Sequence, residues 1–196
     1  MSTTTTRLTR VQRTALTRRE LLAVAERRFF RDGYHATTLE DIADEAGYTK
    51  GAVYSTFKSK GGLFLALLDD VVERRLSELR TLVAEHGIGE QTLAALAQQP
   101  VDERNTQFAL LSIEFLVHAA HEPALLRGFA ERYRRLRSGL AEIGPAADGL
   151  GGSERWAMIT MALSNGLVLE RLIDPEAVSD DAMAIVQARL LRRTGV

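Results

Sequence analysis

Every lysine of this 196-residue chain lies in one stretch of eleven residues, at Lys50, Lys58 and Lys60, while all other side-chain cations except the four histidines are arginines. An ammonium at the start of a short helix can donate to guanine O6 and N7, and one just past its end suits phosphate oxygens, so Lys50 reads as a base contact and Lys58 and Lys60 as anchors. Gly51 and Ala52 leave room for close backbone approach. Tyr54 offers its hydroxyl to a phosphate, with packing inside a small domain as the alternative. Catalytic patterns are missing from the sequence. There is no cysteine for a nucleophile, disulfide or thiolate metal site, residues 144–152 lack the Lys-Ser/Thr of a phosphate loop, and no Gly-x-Ser-x-Gly elbow occurs. Glu114, His118 and His121 share one helical face, the donor set of a divalent metal, but no His-Glu-x-x-His motif accompanies them. Pocket lining or surface is therefore their expected role, and neither enzyme activity nor a metal or other cofactor is expected.

The elements that must position these residues follow from apolar spacing. Leu21, Leu22, Ala25, Phe29 and Phe30 recur at three and four, predicting a helix over 17–32 closed by Asp32-Gly33. Thr37-Thr38 with Glu40 or Asp41 three residues on forms a capping box for a helix over 39–46, ended by Gly47. A third segment covers 50–56. A fourth, carrying Leu63, Leu67, Val71 and Leu76, runs from Lys60 to about residue 85. The second and third can form a helix-turn-helix because Ala43 is small at their crossing, Gly47 permits a positive φ, and Val53 faces Leu39, Ile42, Ala46 and Phe57. Five more helices are expected near 90–98, 102–120, 123–143, 153–173 and 179–193, separated at Pro100, Pro123, the glycine-rich 144–152 loop and Pro175. No period-two alternation is sustained. The expectation is an all-α fold of about nine helices: a flexible basic arm over 1–16, a three-helix head over 17–60 and a helical body over 61–196.

Charge is sorted along that order. The net charge is −1, yet residues 1–60 hold 11 basic and 7 acidic side chains and the remainder 14 and 19. Arg7, Arg10, Arg13, Arg18 and Arg19 all precede the first acid, Glu20, which reads either as a solvated tail or as a surface for a polyanion. The first residues lack an apolar signal core, and the longest apolar run, 63–68, is far short of the ~20 residues of a membrane span. A cytoplasmic protein without membrane partners is expected.

Residues 29–34 (Phe-Phe-Arg-Asp-Gly-Tyr), 37–43 (Thr-Thr-Leu-Glu-Asp-Ile-Ala), 46–54 (Ala-Gly-Tyr-Thr-Lys-Gly-Ala-Val-Tyr) and 57–60 (Phe-Lys-Ser-Lys) resemble the TetR/AcrR transcriptional regulators. The likeness is close over residues 17–68; beyond them it lies in the helical layout, in Glu122-Pro123 and in Asn165-Gly166-Leu167. Thr56 stands where many members carry His. The resemblance implies a homodimer with two DNA-binding heads and a body that binds a small-molecule effector. It also implies phosphate contacts at Thr38 and Lys60, and a groove-facing surface at Thr49, Lys50, Gly51 and Tyr54, to which Ser55 and Lys58 are added. A two-fold dimer matches a palindromic double-stranded DNA operator with half-sites ~34–36 Å or a multiple apart. In the body, Phe108, Leu111, Phe115, Tyr133, Trp156 and Thr160 are candidate pocket residues. Met158, Ala162, Leu169, Met183, Val186 and Leu190 supply the apolar surface for dimerisation. The expected function is a ligand-responsive transcriptional regulator, a repressor released from its operator by a small molecule. Effector, operator and regulated genes are not legible in the chain.

Overall fold

A computed structural model describes residues 9–88, 103–144, 149, 151–179, 181–182 and 185–186. Among them the regular structure is helical: α1 Arg10–Ala36, α2 Leu39–Ala46, α3 Lys50–Phe57, α4 Lys60–His86, α5 Glu103–Ala119, α6 Pro123–Ile143 and α7 Ser153–Ile173. Seven helices thus stand where about nine were expected. The helix near 90–98 falls wholly outside the described residues, and that near 179–193 falls outside them in large part. The chain divides into two compact units, the first ending at Leu68 and the second beginning at Asp69.

The first helix departs from the sequence reading at both ends. Arg10–Thr17 is helix rather than flexible arm, because Thr9 caps it: the Thr9 N–H donates to Gln12 Oε1 at 2.8 Å and the Gln12 N–H donates back to Thr9 Oγ1 at 3.2 Å. At the other end, Gly33 adopts φ 80°, ψ 169° and breaks the helix internally, so that the chain turns and continues to Ala36. Left-handed φ of this kind is accessible to glycine at little cost. The kink swings Tyr34 into the core, where its ring lies 5.7 Å from both Phe29 and Phe64. Phe64 belongs to α4, and Leu63, Leu67 and Leu68 are buried with it. That is why the unit closes at Leu68 and not at residue 60: the first turns of α4 supply side chains worth roughly 1.5–3 kcal/mol each on burial, and the small head needs them.

In the second unit, Leu111, Phe115, Ala119, Phe129, Trp156 and Ala157 are buried. Two glycines permit close helix contacts. A Cβ at Gly139 would stand 2.7 Å from the methyls of Leu76, and one at Gly144 would stand 2.3 Å from the Trp156 ring. Arg132 and Arg135 of α6 hold α4, Arg132 with its Nη2 on Asp69 Oδ2 at 2.6 Å and Arg135 with its Nη2 on Glu73 Oε2 at 2.6 Å.

Candidate functional site

The helix-turn-helix is assembled from α2 and α3. Thr38 caps α2: its Oγ1 accepts the Asp41 N–H at 3.1 Å, and the Thr38 N–H and hydroxyl donate to Asp41 Oδ2 at 3.1 and 2.6 Å. These donors hold the Asp41 carboxyl below the usual carboxylate range. Thr38 and Asp41 are therefore the capping pair, while Thr37 is buried with its hydroxyl on Gly33 O at 2.8 Å. Gly47 ends α2 in the left-handed region (φ 71°, ψ 28°), its N–H bonded to Asp44 O and the Tyr48 N–H to Ala43 O at 2.9 Å. Thr49 then caps α3, accepting the Ala52 N–H at 3.2 Å. Leu39, Ile42, Ala43, Val53 and Phe57 are buried between the helices as expected, with Ala46 half-buried.

With Val53 and Phe57 turned inward, Thr49, Lys50, Gly51, Tyr54, Ser55 and Lys58 are all exposed. Gly51 carries the sharpest signal among them. A methyl there would meet nothing closer than Thr49 Oγ1 at 3.8 Å, so packing does not call for glycine in this helix, where alanine would be more stable by roughly 0.5–1 kcal/mol. Lys50 forms an ion pair with Glu40 of α2, with both side chains about half exposed, and lies 5.6 Å from the centre of the Tyr54 ring. The pairing raises the lysine and lowers the carboxyl relative to their ordinary values. Tyr54 is 42% exposed, which argues against the alternative of packing inside the head. Lys58 is the only non-glycine with positive φ among the described residues (φ 69°, ψ −38°), a conformation that strains an L residue. Its N–H closes α3 on Tyr54 O at 2.9 Å. Thr56 bonds its own helix, with its hydroxyl on Ala52 O at 2.8 Å.

Lys60 is placed differently from the phosphate contact expected of it. Its Nζ donates to the carbonyl oxygens of Tyr34, His35 and Thr37 at 2.9, 3.2 and 3.1 Å and sits 4.5 Å from the centre of the Tyr34 ring. All three N–H donors of the ammonium are thereby engaged. The carbonyls are those freed where α1 ends and the chain turns into α2, so Lys60 clasps the corner of the head. Partial burial holds its ammonium below the usual lysine range. No sequence pattern marks a lysine for carbonyls 23 to 26 residues earlier, because the three converge only once the Gly33 kink has formed.

The body residues fall into two groups. Phe115 is buried, its ring 5.6 Å from Phe129, which in turn lies 4.9 Å from Tyr133. Phe129 was missed by sequence reasoning, although it lies four residues before Tyr133 on α6. Tyr133 is half-buried, and burial pushes its phenol up while a hydrogen bond with Asn165 acts the other way. Leu111 is buried and Phe108 half-buried. Trp156 packs instead with Ala157, Leu140 and Ala141. One turn along α7 is Thr160, and both Trp156 Nε1 and Thr160 Oγ1 are buried without a hydrogen-bond partner among the described residues. Of the expected dimerisation residues, Met158, Ala162 and Leu169 are exposed along α7 and Val186 is half-buried; Met183 and Leu190 lie outside the described residues. No group of three possible metal ligands exists among the described residues, and His118 pairs with Glu122 at 3.2 Å. No helix there is long and apolar enough to cross a membrane.

Residues 21–67 match the family model for bacterial regulatory proteins of the tetR family, and residues 90–195 match that for the C-terminal part of BetI-type transcriptional repressors. The chain is 47% identical over 57 residues to the HTH-type transcriptional regulator TtgR of Pseudomonas putida, covering 29% of this chain and 27% of that protein. It is 29% identical over 134 residues to the HTH-type transcriptional regulator BetI of Escherichia coli, covering 64% of this chain and 67% of the other. Matches to curated relatives thus span about a quarter to two thirds of those proteins. A transcriptional regulator from Saccharomonospora viridis, solved in complex with choline, shares the fold at TM-score 0.67 and 20% identity over 91% of this chain and 96% of that one.

Proposed function

We propose that this chain, which belongs to the tetR family of bacterial regulatory proteins, is a cytoplasmic, homodimeric repressor that releases its operator when a small molecule enters the body. It is a regulator and not an enzyme. The observation that carries the reading is the outer surface of α3, exposed and polar over Thr49, Lys50, Tyr54, Ser55 and Lys58, with a glycine at residue 51 that the fold does not require. Such a surface fits the major groove, with Lys50 leaving Glu40 for a guanine edge and Lys58, Tyr54 and Thr38 meeting phosphates. The division into a basic head and an acidic body agrees, as does the apolar face of Met158, Ala162 and Leu169 for a second copy, which a palindromic operator requires.

Support for an effector comes from Trp156 Nε1 and Thr160 Oγ1. An unpaired buried polar group costs roughly 1–3 kcal/mol, and a ligand with a hydrogen-bond acceptor would remove that cost. Tyr133 shares α6 with Arg132 and Arg135, which grip α4 at Asp69 and Glu73. A ligand that displaces α6 therefore acts on the helix whose first residue, Lys60, clasps the head. The shift in operator affinity is bounded by the ligand's differential affinity for the two states.

The test is selection of duplexes from a random pool on the purified protein, followed by footprinting and by release assays with a small-molecule panel that includes choline. A palindromic site protected on both halves and freed by at least one compound is expected. Equal affinity for every duplex would refute sequence-specific regulation, and an operator complex insensitive to every ligand that binds the body would refute the proposed release.

A further inference from the structure

We infer that the first turns of α1 form a second DNA-contacting surface, in which Arg10 and Arg13 bind backbone phosphates beside the site read by α3. The inference rests on the regulator reading above. Residues 10–16 form two turns of helix in which every residue is exposed, including Val11 and Leu16, so this stretch adds no buried side chain to the core of the head. Its only charges are Arg10 and Arg13, which lie three apart on one face, and α1 has no acid in its first turn. Like charges at that spacing repel, and cations at a helix N-terminus oppose its dipole, so the arrangement is unfavourable in the free protein. A polyanion reverses the sign of both effects.

The arginines of the head are also sorted by position. Arg27 and Arg28 pair with Glu45 at 3.1 and 2.5 Å and Arg31 pairs with Asp32 at 2.8 Å, so the C-terminal half of α1 is neutralised. No ion pair is formed by Arg10 or Arg13 among the described residues, no acid lies within four residues of either on the helix, and the nearest along it, Glu20, accepts the Tyr48 hydroxyl.

Direction comes from the next turn. Thr17 donates to the Tyr48 hydroxyl at 3.3 Å, just ahead of α3, and Arg18 lies 5.7 Å from the centre of the Phe57 ring at the end of α3. Arg10 and Arg13 continue the same face of α1 that carries Thr17, seven and four residues earlier, which at ~1.5 Å per residue places them roughly 10 and 6 Å further along the axis. A duplex seated on α3 is within reach of both side chains.

The experiment measures binding of full-length wild type, Arg10→Gln/Arg13→Gln and Arg10→Lys/Arg13→Lys to a duplex selected on the wild type and to a random duplex of equal length, each across a KCl titration. Arg27→Gln serves as an ion-paired control on the same helix, and circular dichroism checks that helix content is kept. The glutamine variant is expected to weaken both duplexes equally, by tenfold or more at 0.15 M salt, and to lower the slope of log K against log[salt] by about 0.9 for each arginine in each engaged head. The lysine variant is expected to keep the wild-type slope, as is Arg27→Gln. A glutamine variant with wild-type affinity and slope, under conditions where Lys50→Ala loses preference for the selected duplex, would overturn the inference and leave the regulator reading standing. A wild type that binds neither duplex would overturn that reading and this inference with it.

Discussion

Replacing Lys60 separates two roles that its position at the start of α4 leaves open. In Lys60→Met the alkyl stem is retained and the three bonds to Tyr34, His35 and Thr37 carbonyls are lost. A hydrogen bond from a charged group contributes about 1.5–3 kcal/mol when well buried. Here the site is half-buried, so water can replace part of each bond, and the variant no longer has to desolvate an ammonium. Loss of the contact with the Tyr34 ring, 4.5 Å away, adds about 0.5–1 kcal/mol. A net destabilisation of about 2 kcal/mol follows, or about 4–8 °C in Tm if a chain of this length unfolds as one unit. Far-UV circular dichroism is the appropriate probe, since the single tryptophan, Trp156, reports on the body. DNA titrated against salt supplies the second reading. A clasp leaves the salt slope unchanged however much affinity falls, whereas a phosphate contact takes about 0.9 from it per engaged head. A variant with wild-type Tm and a reduced slope would refute the clasp.

Gly51→Ala should raise stability by about 0.5–1 kcal/mol through helix propensity while weakening DNA binding, because the added methyl faces the groove and not the protein; thermal melts and anisotropy titrations check both signs. Gly62→Ala makes the opposite case: its Cβ would stand 2.2 Å from Phe57 O, so Tm is expected to fall despite the better propensity of alanine. Lys50→Ala should relax sequence preference rather than abolish binding, read as a broadened motif when the selection is repeated on the variant. Glu45, held below its ordinary value of 4.5 chiefly by Arg28, gives a pH signature. Its folded value is depressed, so its contribution is present above about 4.5 and is lost as pH falls through the folded value. Glu45→Gln should therefore have a lower Tm at neutral pH and a shallower loss of Tm below about pH 4.5 than the wild type.

Much of the site was legible because its determinants are local. Thr38 and Asp41, Gly47, and the inward Val53 and Phe57 are set by capping chemistry, by a positive φ and by helical period, each contained within a few residues. Legibility failed where local signals were passed over or where the cause lay far along the chain. The Thr9–Gln12 box was as readable as that at Thr38, yet a run of threonines and arginines without apolar periodicity suggested an arm. The boundary at residue 60 followed the motif, while the fold needed Phe64 and its neighbours on α4 to close the head. Phe129 joins Phe115 to Tyr133 only because α5 packs against α6, and that Trp156 Nε1 and Thr160 Oγ1 find no hydrogen-bond partner among the described residues is a property of their surroundings.

The amino-acid sequence by itself settled the helical class, the helix-turn-helix with its turn and caps, the concentration of lysines around α3 and the opposite charge of the two halves. These depend on residue type and short spacing, which no packing arrangement alters. Tertiary structure alone decided which cations are free to meet a partner. Lys60 is taken up by three carbonyls, Arg27, Arg28 and Arg31 are neutralised by acids, and Lys50 is paired with Glu40, while Arg10 and Arg13 carry no such pair among the described residues. Charge is written in the chain, but the distance from each charge to its neighbours exists only after folding.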